Sequence, residues 1–387
     1  MITLRTRILL PMAVICMVLM TGCWDQHELD TISIVTGVGL DATQDMEEVL
    51  VTVQAGKTQS SGEQDKQGGG NASFYIQQTR GRGINAALDS LKHKNSRIPF
   101  LHHNQVLIIG REQAEKGIQE YLDAFMREHE MRMEVWLFIA DKKAADILLA
   151  TIEPEQLSSI ALARMMYNET MLSKSYGVNL MNYISHQVDQ SSASIIPIIE
   201  LEETTDQQTL LLSGLGVFKD GKMVGQLSQQ QINGYVWLMG ELREKSIEVS
   251  TKHGYADVLL ESIQSSITPI FDEDMPRFHM KLMANMSIGE LQGYYGKTVE
   301  ETVKELEQAT SEQIAKEVQE SLTRTKELNA DIFDFAGKLY QRHPKKWKTI
   351  ADKWTEIYAQ VEVTTQIEVK LIGTGKTVNN LKMKVEQ

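Results

Sequence analysis

Hydrophobic and polar positions change period several times along the chain, and each change predicts an element. Residues 31–40 (TISIVTGVGL) read as a strand, with Gly37 and Gly39 allowing a close backbone approach or a bulge. Val49, Val51 and Val53 alternate as a second strand. Ile84, Ala87, Leu88 and Leu91 keep helical spacing, as do Ile118, Tyr121, Leu122 and Phe125. Residues 106–109 and 135–140 are short apolar runs suited to buried strands. This alternation over residues 74–150 predicts an α/β layer open to parallel pairing, and a helical region follows over 155–188, after Pro154.

A second section opens near residue 195. Residues 210–219 form a strand, Asp220-Gly221 is a hairpin turn, and 222–227 return. Farther on, Phe278, Met280, Leu282, Ala284, Met286 and Ile288 alternate with mostly polar residues, the pattern of a half-buried strand. Residues 298–328 predict a long helix of roughly 45 Å, with Val299, Val303, Leu306, Ile314, Val318 and Leu322 on one face. A shorter helix over 331–342 follows, and Pro344 begins another that carries Trp347, Ile350, Trp354 and Tyr358. Val361, Val363, Ile367, Val369 and Leu371 alternate as a final strand.

The expected fold class is therefore mixed α/β and α+β: a multi-domain chain of mixed β-sheets packed with helices. Near the C-terminus a long helix is expected to be flanked by antiparallel strands. The expected division is a signal segment 1–22, an N-terminal α/β domain 23–200 and a C-terminal α+β region 201–387. That last region reads either as one unit or as a small middle domain 201–265 followed by a domain 266–387. Residues 56–73, rich in Gly, Gln and Ser and including Gly68-Gly69-Gly70, predict a mobile surface loop.

The first residues bear on location. Arg5 and Arg7 precede an apolar stretch of 13 residues, 8–20, and Met20-Thr21-Gly22-Cys23 closes it. That is a secretory signal, too short to span a bilayer, and its end resembles a bacterial lipobox. Cys23 is then the lipidation site, carrying diacylglyceryl and N-acyl groups after cleavage. An uncleaved anchor or a signal cut elsewhere are the other two readings. Two acyl chains suffice for stable membrane attachment. Cleavage removes 22 residues, two of them arginines, and takes the net charge from −13 to −15. Cys16 and Cys23 are the only cysteines, so the mature chain keeps no free thiol and cannot rely on a disulfide. An excess of Asp and Glu (52) over Lys and Arg (39) argues against nucleic-acid binding.

Catalytic signatures fail one by one. Gly81-Arg82-Gly83-Ile84-Asn85-Ala86 matches G-x-G-x-x-A, but no acidic residue stands in 100–109 where a dinucleotide site needs one. It reads as a glycine-rich helix start. His102 and His103 are adjacent, so in a strand they point to opposite faces and cannot chelate one ion together. His129-Glu130 lacks the second histidine of a zinc-protease helix. No nucleophile elbow, Walker loop or calcium loop occurs. The expectation is a non-enzyme with no cofactor and no metal. Two surface features remain. Lys338, Arg342, Lys345, Lys346, Lys348 and Lys353 form a basic patch, interrupted by Asp352, that suits anionic headgroups, an acidic partner or simply solvent. Trp347 and Trp354 share a helix face and read as core.

Gly22-Cys23-Trp24-Asp25, Glu28-Leu29 and Val35-Thr36-Gly37-Val38-Gly39-Leu40-Asp41 together resemble the opening of the Ger(x)C spore germination lipoproteins. The resemblance continues through 103–110, 127–132, 214–219, the stretch Asp331-Ile332-Phe333-Asp334-Phe335-Ala336-Gly337, and 347–354. It implies the C subunit of a germinant receptor, anchored to the outer face of the spore inner membrane. It further implies assembly with integral membrane A and B subunits, a fold of mixed α/β domains and no catalytic or metal residue. Two other classes share the signal: a solute-binding lipoprotein, which needs two similar lobes, and a lipid-anchored envelope enzyme, which needs a convergent polar pocket.

Overall fold

The computed structural model describes residues 31–373 except 46, 58–73, 128–130, 173–176, 189–190, 192, 206, 240–243 and 273–274. Cys23, the signal segment, the glycine-rich stretch 58–73 and His129-Glu130 lie outside the described residues.

Nine strands form the first sheet. They are β1 (Ile32–Ala42), β2 (Val49–Gly56), β3 (Phe74–Gly81), β4 (Ile98–Phe100), β5 (Val106–Gly110), β6 (Trp136–Ala140), β7 (Ala193–Glu203), β8 (Gln208–Lys219) and β9 (Lys222–Leu227). The order is β3-β2-β1-β5-β6-β7-β8-β9, with β4 paired beside the start of β1. Its centre is parallel, β1 to β5 to β6 to β7, and both edges are antiparallel. Central strands are apolar on both faces because helices cover both. Leu107, Ile109, Leu137 and Ile139 face α1 (Ile84–Lys94) and α3 (Gln119–Arg127), which supply Leu88, Leu91, Leu122 and Phe125. A short helix, α2 (Arg111–Lys116), precedes α3. On the opposite face, Val106, Ile108, Phe138 and Ala140 meet α4 (Ala144–Leu149) and α5 (Ser158–Leu172). Then α6 (Leu180–Val188) leads back to β7.

Gly37 and Gly39 serve both expected purposes. A register shift lies between Val35 and Gly37. A Cβ at Gly37 would also sit 2.7 Å from Ser159 Cβ, and one at Gly39 2.9 Å from a Leu148 methyl. Only bare backbone lets α4 and α5 lie this close to β1. At the predicted hairpin turn, Asp220 and Gly221 have φ of 50° and 74°, the left-handed pair that a two-residue hairpin requires.

The sheet continues past residue 200, which lies inside β7, because β7 pairs along its length with β8. By sheet membership the chain therefore changes unit between Leu227 and Glu244. The linking element is α7 (Gln229–Met239). Beyond it, β10 (Glu244–Ser250), β11 (Gly254–Asp272), β12 (Met275–Gly293) and β13 (Glu362–Gly373) form the second sheet in that order. Phe278, Met280, Leu282, Ala284, Met286 and Ile288 are buried as their alternation predicts.

Two local expectations need correction. Of the strands flanking the long helix α8 (Val299–Glu327), β12 pairs antiparallel with β11 but parallel with β13. The intervening helices carry the chain back to the end where β12 began, so the final strand runs the same way. Val299 is also 47% exposed and lies off the buried face of α8. That face is largely Thr302, Leu306, Thr310, Ile314, Glu317, Val318, Ser321 and Leu322, smaller and more polar than the aliphatic spacing suggests. Its start is secured by a capping box between Thr298 and Glu301.

Small residues there have a reason: α7 lies directly against α8. A Cβ at Gly234 would fall 2.0 Å from the Glu317 carbonyl oxygen and 2.7 Å from Ser321 Cβ. The Glu317 carboxylate is buried and accepts from Trp237 Nε1 (2.7 Å), Gln313 Nε2 (3.0 Å) and Asn233 Nδ2 (3.2 Å). Lys245, at the start of β10, donates to the Asn233 side-chain oxygen and stands 4.9 Å over the Trp237 ring. Burial lowers the Lys245 ammonium to about 8, against the opposing pull of Glu317.

Gly234→Ala is expected to cost about 3 kcal/mol, because the obstructing atom is backbone and cannot swing aside. Gly83→Ala, where nothing stands within 4 Å, should cost about 1 kcal/mol or less. Urea unfolding of the two variants checks this; equal losses would show that the α7–α8 contact relaxes freely.

Candidate functional site

The C-terminal helical block carries the one basic surface that the sequence marks as a contact face, and its buried side explains why that face is held out. Asp331 lies between α8 and α9 (Phe335–Arg342). Its carboxylate accepts the Phe335 and Ala336 backbone N–H groups at 3.0 and 2.8 Å and the Trp354 indole N–H at 3.1 Å. The first two are orphan donors of the helix start; the third ties in α11 (Trp354–Tyr358), which follows α10 (Pro344–Ile350) after a single 3₁₀ turn, Ala351–Lys353. Asp334, at φ 57°, adds a cap on the Gly337 N–H. Thus the stretch 331–337 is a folded corner, with its acids spent on backbone donors.

Aromatic rings extend this corner into a chain. Tyr235 of α7 lies 5.7 Å from Phe333, Phe333 is 5.5 Å from Phe335, and Phe335 stacks on Phe278 of β12 at 4.3 Å. Tyr358 is 6.2 Å from Phe335 and donates its hydroxyl to Thr325 Oγ1 at 2.8 Å. Trp354 is 6.1 Å from Tyr358, and Trp347 meets Trp354 edge-on at 5.3 Å. Both tryptophans are buried, so the core reading holds and no exposed aromatic strip is formed.

With the aromatic side inward, the basic side faces water. Arg342, Lys345, Lys346, Lys348 and Lys353 are exposed and Lys338 is half-buried, with Asp352 exposed among them. None of the six cations makes an ion pair among the described residues. Lys346 stands 4.3 Å over the Phe271 ring near the tip of the β11–β12 hairpin, and His343 packs edge-on against the same ring at 6.2 Å.

Other sequence candidates fall apart in space. Leu101–His103 is a turn of 3₁₀ helix, not a strand, and both histidines are exposed beside Phe100, at 4.6 and 5.6 Å. The Gly81–Ala86 motif joins β3, an antiparallel edge strand, to α1, so the parallel βαβ setting of a dinucleotide site is missing. Gly81 is needed there because a Cβ would lie 2.7 Å from the Ala87 amide nitrogen. Asp41 is a third buried acid, accepting Ala144 N–H at 2.7 Å and Ala145 N–H at 2.9 Å to hold the start of α4. Burial raises its carboxyl, opposed by those two hydrogen bonds. No group of three or more His, Cys, Asp or Glu suited to a metal occurs among the described residues. No helix among them is long and apolar enough to cross a membrane. Sequence reasoning missed Asp331, Glu317 and Lys245, since nothing in a lone charge reports its burial.

Comparison with known proteins gives a coherent result over the whole chain. Residues 25–201 match the family described as spore germination protein N-terminal domain, and 213–375 match the family described as spore germination B3/GerAC-like, C-terminal. Spore germination protein KC of Bacillus subtilis (strain 168) is 22% identical over 400 residues, covering 98% of both chains. Spore germination protein B3 of the same organism is 22% identical over 361 residues, 92% of this chain and 94% of that one. The crystal structure of the GerBC protein superposes with a TM-score of 0.57 at 17% identity, covering 90% of this chain and all of that chain. The fold is shared.

Burial pushes the Asp331 carboxyl up from 3.8 to about 6, against the lowering effect of its Ala336, Phe335 and Trp354 hydrogen bonds. The folded state therefore holds the proton more tightly than the unfolded chain. Stability contributed by this group is fully present below about pH 4 and is lost as pH rises through about 6, a change of about 3 kcal/mol. Asp331→Asn keeps the volume and one acceptor, and should remove that part of the pH dependence. Urea unfolding at a series of pH values from 4 to 7 measures it; an unchanged slope in the variant would assign the titration elsewhere.

Proposed function

The chain belongs to the GerAC family of spore germination proteins, and from that premise we propose that it is the lipid-anchored C subunit of a nutrient germinant receptor. The carrying observation is collinearity: N- and C-terminal family regions follow in order, and relatives named as spore germination proteins align over nearly their full length. In this reading Cys23 bears the lipid, and the body lies on the outer face of the spore inner membrane. Integral membrane A and B subunits are its partners. It works by binding and assembly, with no cofactor; the hydrogen bonds that occupy Asp41, Glu317 and Asp331 support a scaffold role over catalysis.

The basic face of α9 to α11 is the proposed contact with an integral subunit. Its cations have no acidic partner of their own among the described residues, and the buried corner beneath holds them in fixed relative positions. An acidic loop of a membrane subunit fits it best.

Three measurements test this reading. Spores lacking the chain should lose optical-density decrease in response to one nutrient class, while surfactant-triggered germination stays normal. Unchanged responses to every nutrient, even after other receptors are deleted, would sink the receptor role. Cys23→Ala should release the protein from washed spore membranes and weaken that same response; retention with normal germination would count against the anchor. Lys345→Glu with Lys348→Glu, both exposed, should leave stability within about 0.5 kcal/mol and reduce co-purification with the membrane subunits by tenfold or more. Undiminished recovery would remove this face from the interface.

A further inference from the structure

A second basic cluster is assembled entirely by the fold. Lys57 follows the end of β2, Lys94 ends α1, and Arg97 precedes β4, positions scattered over 41 residues of sequence. Together they line a cavity of about 500 Å³, with Tyr75, Gln77 and Asn95. Asn95 donates to the Gln77 side-chain oxygen at 2.7 Å, and Tyr75 bonds Ser33 at the start of β1. No carboxylate among the described residues lines this cavity. Lys57 and Lys94 are exposed and unpaired among the described residues, and the neighbouring Ile98 is 46% exposed.

Position gives this cluster meaning. The Thr31 carbonyl accepts the Ile98 N–H at 3.0 Å, and Ile32 pairs with Ile98. The chain thus comes in from its N-terminal side directly beside the cavity. Cys23 precedes Thr31 by eight residues, a covalent reach of at most roughly 29 Å. An anchor at Cys23 therefore keeps this end of the molecule within roughly 29 Å of the bilayer. The chain as a whole carries a charge of −13, which an anionic surface repels, and screening over about 8 Å limits any attraction to the groups closest to the headgroups. The segment from Cys23 to Asp30 itself carries Asp25, Glu28 and Asp30, whereas on the folded body the described residues that line the cavity are basic or uncharged.

We propose that this edge of the first sheet rests on the membrane, with Lys57, Lys94 and Arg97 receiving the phosphates of anionic phospholipid headgroups and Ile98 meeting the interface beside them. The proposal rests on the reading of Cys23 as the lipid-bearing residue and adds to it a fixed orientation. The anchor holds the chain at the bilayer, and the cluster decides which face turns toward it. That leaves the C-terminal basic face free for a protein partner.

The test uses the full-length acylated protein reconstituted into vesicles of phosphatidylcholine, with or without about a third phosphatidylglycerol. Lysine acetylation rates are read by peptide mass spectrometry, and vesicle flotation is scored on the same samples. Each basic side chain at an anionic surface is worth roughly a fivefold change in occupancy. Lys57 and Lys94 should therefore label about fivefold more slowly with phosphatidylglycerol at low salt and recover at high salt, while Lys345, Lys346 and Lys348 do not change. Floating protein with unprotected Lys57 and Lys94 overturns the proposal and leaves the anchor standing; protein that does not float removes both. Protection of Lys345 to Lys348 instead would turn the molecule over and refute it. Equal protection by inorganic phosphate without vesicles would make the cavity a soluble-anion site, which also refutes it.

Discussion

The contact of α7 with α8 around the buried carboxylate of Glu317 is the constraint on which the remaining architecture depends. Backbone meets backbone there because Gly234 has no side chain, and the acid is tolerable in the interior only because Trp237, Asn233 and Gln313 donate to it. Helix α7 is the sole connection along the chain between the two sheets, so fixing it to α8 fixes one sheet relative to the other. A single apolar cluster runs from Leu107 and Ile139 in the first sheet, through Tyr235 and Trp237, to Phe278 in the second and Leu322 on α8. With no disulfide expected to help, that continuity and the clamp at Glu317 make the two units one body.

Buried acids recur in a common use. Asp41 caps α4 from a strand in the first sheet, and Asp331 caps α9 from the loop after α8. In each case a carboxylate brought in from outside the helix satisfies two N–H groups that the helix cannot satisfy itself. These caps orient what lies downstream. The Asp331 corner, with Trp354 attached, holds the C-terminal helices so that their apolar side is consumed and their lysines stay in water. Structural chemistry of this kind suits a subunit whose work is to present surfaces. One basic surface is written as a run near the C-terminus; the other exists only after β2, α1 and β4 come together at the edge where the chain begins its fold.

Most individual elements were legible in the sequence, because period and punctuation are local. The Gly-x-Gly of β1, the Asp220-Gly221 turn, the alternation of β12 and the proline-started helix at Pro344 each follow from the residues that form them. What local pattern does not carry is non-local. Residues 193–203 complete the parallel centre and carry the antiparallel edge of the first sheet, while the two family regions divide between 201 and 213. Val299 fitted the apolar stripe of α8 but lies beyond the part of the helix that anything covers.

The sequence by itself determined most of the elements, though not α7, β10 or β11, together with the charged C-terminal face and, through the motifs of the resemblance, the family; each depends on residues adjacent or regularly spaced along the chain. Tertiary structure alone decided that β13 runs parallel to β12, that Glu317 is an interior charge with Lys245 half-buried beside it, and that Lys57, Lys94 and Arg97 share a cavity. The physical reason is the same in all three. Strand direction depends on where the intervening helices return the chain, and burial depends on what is packed above a residue. A cluster drawn from distant positions exists only through pairings such as β1 with β4, which no local pattern encodes.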